Sequence, residues 1–120
     1  MINLDTHILL YALHGELHAR EQSLLARSRW SISSIVLWEL AKLVQLSRIQ
    51  FDFEDQRVAR LLNRPRVLPI DLDVARASTR LDFSSDPADE IIAATSVVHN
   101  IPLLTRDSKM RSSKIVPLAM

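Results

Sequence analysis

Short apolar runs alternate along this chain with stretches of helical periodicity, and that alternation limits the fold more than any other feature. "MINL", "WSIS", "RVLPI", "IPLLT" and "KIVPL" each have the length and composition of a strand. Between them lie "HILLYAL", "HAREQSLLARS", "SIVLWELAKLVQLSRI", "FDFEDQRVARLLNR", "LDVARASTRL" and "DPADEIIAATSVVHN", which read as helices. Strand and helix in turn predict an α/β fold with a mostly parallel sheet covered on both faces. Start signals agree: Ser33 or Ser34 can cap the third helix, Asp71 the fifth, and Asp86 followed by Pro87 the sixth. Pro65 stops the fourth helix, and the polar "RDSKMRSS" reads as a short connection. The third helix is expected to be well buried, with Trp38, like Tyr11, in the core. At 120 residues, with no repeat or linker, residues 1–120 are expected to form a single domain.

Several function classes fall away on composition. Gly15 is the only glycine, which excludes a glycine-rich phosphate cradle, and the absence of cysteine excludes a disulfide framework, a thiolate zinc site and a cysteine nucleophile. With 48% hydrophobic and 24% charged residues, the chain has a globular rather than a disordered composition. No apolar run reaches the roughly 18 residues of a membrane helix, and no basic flank precedes an N-terminal apolar stretch, so a cytoplasmic protein without a membrane partner is expected. Net charge is +1, with no basic tail. If a metal held four of the carboxylates, the remaining surface would total about +5 (+1 plus 4), which favours a polyanion near the site.

In an open parallel sheet, ligands bind beyond the carboxyl ends of the strands. Asp5 follows "MINL" and Asp107 follows "PLLTR", so both fall on that edge. Each also has a structural explanation, Asp5 (or Thr6) as a helix cap and Asp107 as a turn residue beside Ser108. Glu39 lies inside the most apolar helix, where an unpaired carboxylate is rare, although a solvated pair with Lys42 would account for it. In "DPADEIIAAT", Asp86 makes a good cap and Asp89 takes the third helical position. Asp89 is one methylene shorter than the glutamate usual in a capping box. Glu90 is expected to stay solvated.

Energies separate these readings. A lost cap costs about 1 kcal/mol, whereas two carboxylates about 4 Å apart repel by about 4 kcal/mol at an effective dielectric of about 20. A converging group of Asp5, Glu39, Asp89 and Asp107 therefore needs a hard divalent cation, and all-oxygen ligands suit Mg²⁺, with Mn²⁺ able to substitute. Such an ion activates water and stabilises charge on a phosphodiester. The histidines carry less: His14 and His18 read as a solvated helix face, and His99 as a favourable charge at a helix end. Arg106, beside Asp107, is a possible phosphate contact.

In their order, "LDTHILLYAL", "SISSIVLWELAKLV", "DPADEIIAAT" and "PLLTRD" resemble the PIN-domain family, in particular VapC-type toxins of type II toxin-antitoxin systems, over nearly the whole chain. The resemblance implies a three-layer α/β/α domain and a Mg²⁺-dependent endoribonuclease that hydrolyses RNA by metal-activated water. Asp5, Glu39 and Asp89 match the family's three central acids, and Asp107 its more variable fourth. Thr6 matches a hydroxyl that supports the first acid, and Ser33 the family's serine ahead of Glu39. Val36 stands where a second small polar residue is frequent. Asp86 also recurs, with a supporting part beside its capping one. A cognate antitoxin covering the site and a homodimer are further implications. Two other readings compete. A PIN-like domain could bind RNA or protein without cleaving. A receiver-type signalling domain also binds Mg²⁺ at strand ends, but it needs an acidic pair where Asp5 stands alone.

Overall fold

The computed structural model describes Met1 to Met120. Four short strands, β1 (Ile2–Leu4), β2 (Trp30–Ser33), β3 (Arg66–Leu68) and β4 (Leu103–Leu104), form one sheet in the order β3-β2-β1-β4. Every pairing is parallel, with Ile2 opposite Trp30, Ser33 opposite Leu68 and Leu4 opposite Leu104. Helices flank the sheet: α1 (Thr6–His14), α2 (Ala19–Ala26), α3 (Ser34–Gln45), α4 (Gln56–Leu62), α5 (Leu72–Ser78), α6 (Pro87–His99) and α7 (Ser108–Arg111). Helix α6 packs against α3, α5 and β2, and α1 packs against α3. This is the three-layer α/β/α arrangement expected from the alternation of elements.

Local chemistry sets most boundaries. Ser33 Oγ accepts from the Ile35 amide and starts α3, while Asp71 accepts from Val74 N and starts α5. The single glycine, Gly15, ends α1 at φ 69°, and Asn100 ends α6 at φ 51°, both in the left-handed region that closes helices. The core joins Leu4, Ile8, Ile32, Leu40, Ile92 and Leu104, each essentially without exposure. Burial of such side chains contributes about 1.5–3 kcal/mol apiece.

Three expectations need correction. Only Val36 and Leu40 of α3 are buried, and Trp38 is 56% exposed: the apolar residues run too far around the helix for one face to hold them all. The segment "KIVPL" adds no full strand. It meets β4 at one parallel bridge, Leu103 with Leu118, closed by Leu103 N donating to Pro117 O at 2.8 Å and Ala119 N donating to Leu103 O at 2.9 Å; Pro117 has no amide with which to extend the ladder. The polar "RDSKMRSS" is not all connection, since Asp107 caps the one-turn helix α7 and Met110 within it is fully buried.

One polar side chain inside the sheet fixes how α6 sits on it. Asn3 is fully buried in β1, and its Nδ2 donates to Ser96 Oγ at 2.9 Å and Ile92 O at 3.3 Å, both on α6. Its Oδ1 accepts from Ser31 Oγ of β2 at 3.3 Å. Removing this amide strands buried partners on two elements, so Asn3→Ala is expected to destabilise the fold by about 2 kcal/mol. A lowered urea midpoint at unchanged m-value is the expected result, and an unchanged midpoint would contradict it.

Candidate active site

Parallel pairing brings the carboxyl ends of β1 and β4 side by side. The Asp5 amide donates to Leu104 O at 3.1 Å, which carries the ladder one step past β1 and fixes where the Asp5 side chain starts. Asp5 is 4% exposed. Its Oδ1 accepts from Thr6 N at 2.8 Å, capping α1, and its Oδ2 accepts from Thr105 Oγ1 at 2.7 Å. Capping and site membership are thus compatible, because the two oxygens are used separately.

Glu39 reaches the same edge from α3. Its Oε1 accepts from Thr6 Oγ1 at 2.5 Å, a bond that joins the first turn of α1 to the middle of α3. It does not pair with Lys42, whose ammonium donates to Gln45. Asp89 comes from the first turn of α6, where Pro87 occupies the start as expected. The capping account of this segment fails: Asp86 makes no side-chain cap, and Asp89 accepts from Ser85 Oγ at 2.8 Å instead of reaching back to the Asp86 amide. Glu90 is half-buried and accepts from the Ser85 amide at 3.4 Å, so it is less solvated than expected. Asp107 accepts from Met110 N at 3.1 Å, and its own amide donates to Thr105 Oγ1 at 3.0 Å.

Asp5, Asp89 and Asp107 line one cleft of about 230 Å³ with His7, Tyr11 and Arg106. Glu39 does not line it but is tied to it through Thr6, and its carboxyl feels the charges of Asp89 and Asp5. Burial pushes the Asp5 carboxyl above its usual range and the Asp89 charge adds to this, against the Thr105 hydroxyl, His7 and the Thr6 amide. Glu39 is raised by burial, then by Asp89 and Asp5, with Thr6 and His7 opposing. Asp89 is raised by burial and by Asp107 and Asp86, with Ser85 and His7 opposing. Each of the three carboxyls is thus raised first by burial and then by at least one neighbouring acid, and none of them has a lysine or arginine within ion-pair distance.

That donor set fits a hard cation, since it is all oxygen and carries uncompensated negative charge. The side chains do not already form a closed cage of three. Asp89 is turned to Ser85 and Glu39 to Thr6, so a bound ion would have to draw them inward.

Among the supporting residues, Thr6 is at the site, Ser33 is buried and spends its hydroxyl capping α3, and Asp86 is exposed and acts on Asp89 through charge. Arg106 lies over the Tyr11 ring at 3.8 Å, so Tyr11 is part of the cleft wall and only partly core. The Arg106 guanidinium is held by Glu21, with Nε to Oε2 at 2.9 Å and Nη2 to Oε1 at 2.6 Å. Its charge is therefore largely balanced within the fold. Glu21, 4% exposed, is held below the usual carboxylate range by that guanidinium. His14 and His18 do not share a helix: His14 ends α1 and His18 precedes α2.

Sequence reasoning missed Thr105, His7 and Glu21. Thr105 follows β4 directly, and the strand-end rule that singled out Asp5 would have found it. His7 sits one turn before Tyr11 on α1, but histidine spacing directed attention to metal pairs instead. Nothing local signals Glu21, whose partner is 85 residues away.

A family model described as PIN domain matches residues 2–114. The chain is 30% identical over 99 residues to Ribonuclease VapC22 of Mycobacterium tuberculosis, across 80% of this chain and 76% of that relative. A toxin-antitoxin complex from Klebsiella pneumoniae matches with a TM-score of 0.71 at 25% identity, covering 93% of this chain and 91% of its counterpart. VapBC2 from Rickettsia felis, bound to a DNA fragment from its promoter, matches with a TM-score of 0.73 at 21% identity over 98% and 97% of the two chains.

Proposed function

The chain belongs to the PIN-domain family, and from that premise we propose that residues 1–120 form one nuclease domain, a divalent-metal-dependent endoribonuclease acting as a VapC-type toxin. What supports this reading is that Asp5 and Asp89, from the end of β1 and from α6, line one cleft to which Thr6 ties Glu39 of α3, and that these carboxyls, raised first by burial and then by neighbouring acids, lack a cationic partner. Acids arranged this way on a shared edge serve a cation better than they serve the fold.

Asp5, Glu39 and Asp89 would hold Mg²⁺ or Mn²⁺, with Asp107 completing the negative lining. Bound there, the ion would lower the pKa of a water and offset charge on the phosphodiester. The chain's own groups prepare this. Thr105 Oγ1 and the Thr6 amide each engage one oxygen of Asp5 and so fix its plane, while Thr6 Oγ1 holds Glu39 near this edge through a single oxygen. Arg106, clamped by Glu21, forms a wall against which a phosphate can rest, and Tyr11 backs it.

A ribonuclease of this kind needs restraint by a partner. The matching toxin-antitoxin complexes support a cognate antitoxin. Leu37, Trp38 and Leu46 lie uncovered on and beyond α3, which gives an antitoxin or a second copy in a homodimer apolar surface to bury. The test is incubation of the purified chain with RNA in Mg²⁺ and in EDTA. Internal cleavage that needs the ion is expected. RNA left intact under both conditions, with binding retained, would make it a non-cleaving RNA-binding domain.

A further inference from the structure

The opposite end of the sheet carries a second cleft, of about 390 Å³, lined by Met1, Ser28, Arg29, Trp30, Arg64 and Arg66. Its composition follows from the topology. Arg29 stands immediately before β2, and Arg64 and Arg66 stand at the start of β3, so two neighbouring parallel strands deliver their leading arginines to the same edge. No acid lines this cleft, and none of the three arginines forms an ion pair. Arg64 is nonetheless fixed: its guanidinium carbon lies over the Trp30 ring, 3.8 Å from the ring centroid, and its Nη2 donates to Leu25 O at 3.0 Å. Trp30 Nε1 donates to the same carbonyl at 2.9 Å, so ring and guanidinium share one anchor.

The charge at the two ends differs in sign. The catalytic cleft presents Asp5, Asp89 and Asp107, and its one arginine is already balanced by Glu21. It repels a polyanion until a cation arrives, so it contributes little affinity for RNA by itself. We infer that the Arg29–Arg64–Arg66 cleft is an RNA-anchoring site, in which Arg29 and Arg66 bind backbone phosphates of a single-stranded segment and the outer face of Arg64 stacks an unpaired base. The inference rests on the reading of the chain as a ribonuclease. Guanidinium planes take unstacked RNA bases, and Trp30 beneath Arg64 holds that plane ready. Phosphates pair with arginine in forked geometry. A single strand is favoured over a duplex because only an unpaired base offers its face to Arg64.

The test measures binding of labelled polyuridine in EDTA, where no cleavage interferes, by wild type and by Arg29→Glu/Arg66→Glu. These two exposed side chains lie outside the catalytic cleft. The double variant is expected to bind at least about tenfold more weakly and to lose roughly 1.4 from the slope of log K against log salt, at about 0.7 per phosphate contact. In Mg²⁺, KM for a long RNA should rise with kcat unchanged, while cleavage of a tetranucleotide too short to span both ends stays as in wild type. Arg64→Lys, which keeps the charge but not the plane, should lose affinity while retaining the salt slope. Equal polyuridine affinity in wild type and double variant would overturn the proposal, and so would a patch that holds polyglutamate more tightly than polyuridine. If wild type binds polyuridine through this patch but cleaves no RNA, the catalytic reading fails and the anchoring site stands.

Discussion

Asp5→Asn is expected to reduce RNA cleavage at saturating Mg²⁺ by at least about 100-fold, since even the residues that orient metal ligands are worth about 10–100-fold when removed. A neutral amide is a poor ligand for a hard cation. The fold should survive, because the asparagine oxygen can still accept from Thr6 N, and its NH₂ faces the Thr105 hydroxyl, which has acceptor capacity to spare. Removing a buried charge that Asp89 repels also relieves the metal-free protein. Single-turnover cleavage and thermal unfolding of the same preparation separate the two effects. Cleavage by Asp5→Asn at the wild-type rate would remove Asp5 from the chemistry.

The second large effect concerns stability against pH without metal. Asp5, Glu39 and Asp89 have folded-state values raised above the ordinary 3.8, 4.5 and 3.8. The folded chain therefore holds protons on them that the unfolded chain has already released. Their contribution is fully present below the unfolded values and is lost as pH rises through the folded ones. Glu21 works in the opposite sense: its value is lowered from 4.5, so its stabilisation is present above that and is lost as pH falls further. Between neutrality and the ordinary carboxylate range, the three site acids therefore set the slope. In EDTA, Tm should increase as pH is lowered from neutrality towards the ordinary carboxylate range and fall again only below that range, where Glu21 loses its charge, with about 4 °C for each 1 kcal/mol in a chain of this size. Saturating Mn²⁺ should reverse the upper limb, because the ion competes with protons for the same oxygens. A Tm in EDTA that falls steadily with acidification from neutrality would show that the carboxylates do not burden the fold.

Much of this architecture is legible in the residues themselves. The strand-like runs and capping signals locate β1 to β4 and the starts of α3 and α5, and Pro87 marks the start of α6 although Asp86 makes no side-chain cap, because each is decided within a few positions. The strand-end rule brings Asp5 and Asp107 to one edge from opposite ends of the chain, and the cleft they line also contains Asp89. What escapes is non-local. Trp38 has the same apolar character as Leu40, and only the packing of α3 decides that one is exposed and the other buried. Asn3 looks incidental inside an apolar run until Ser96 and Ser31 close around it. The clamp of Arg106 by Glu21 joins the β4–α7 connection to the first turn of α2, which no spacing relates. Helix α7 is four residues long, too short for periodicity to show.

If Asp5, Glu39 and Asp89 form a cation site, thermal unfolding of wild type and Asp89→Asn, each in EDTA and in Mn²⁺, will reveal it. Asp89→Asn in EDTA should be at least as stable as wild type, since a repelling charge is removed while the Ser85 contact can persist. Mn²⁺ at about 100 times its Kd should stabilise wild type by about 2.7 kcal/mol, and clearly less in the variant. If Mn²⁺ shifts neither protein, or shifts both equally while the variant is simply less stable, Asp89 is a helix-start residue and the cation site does not exist.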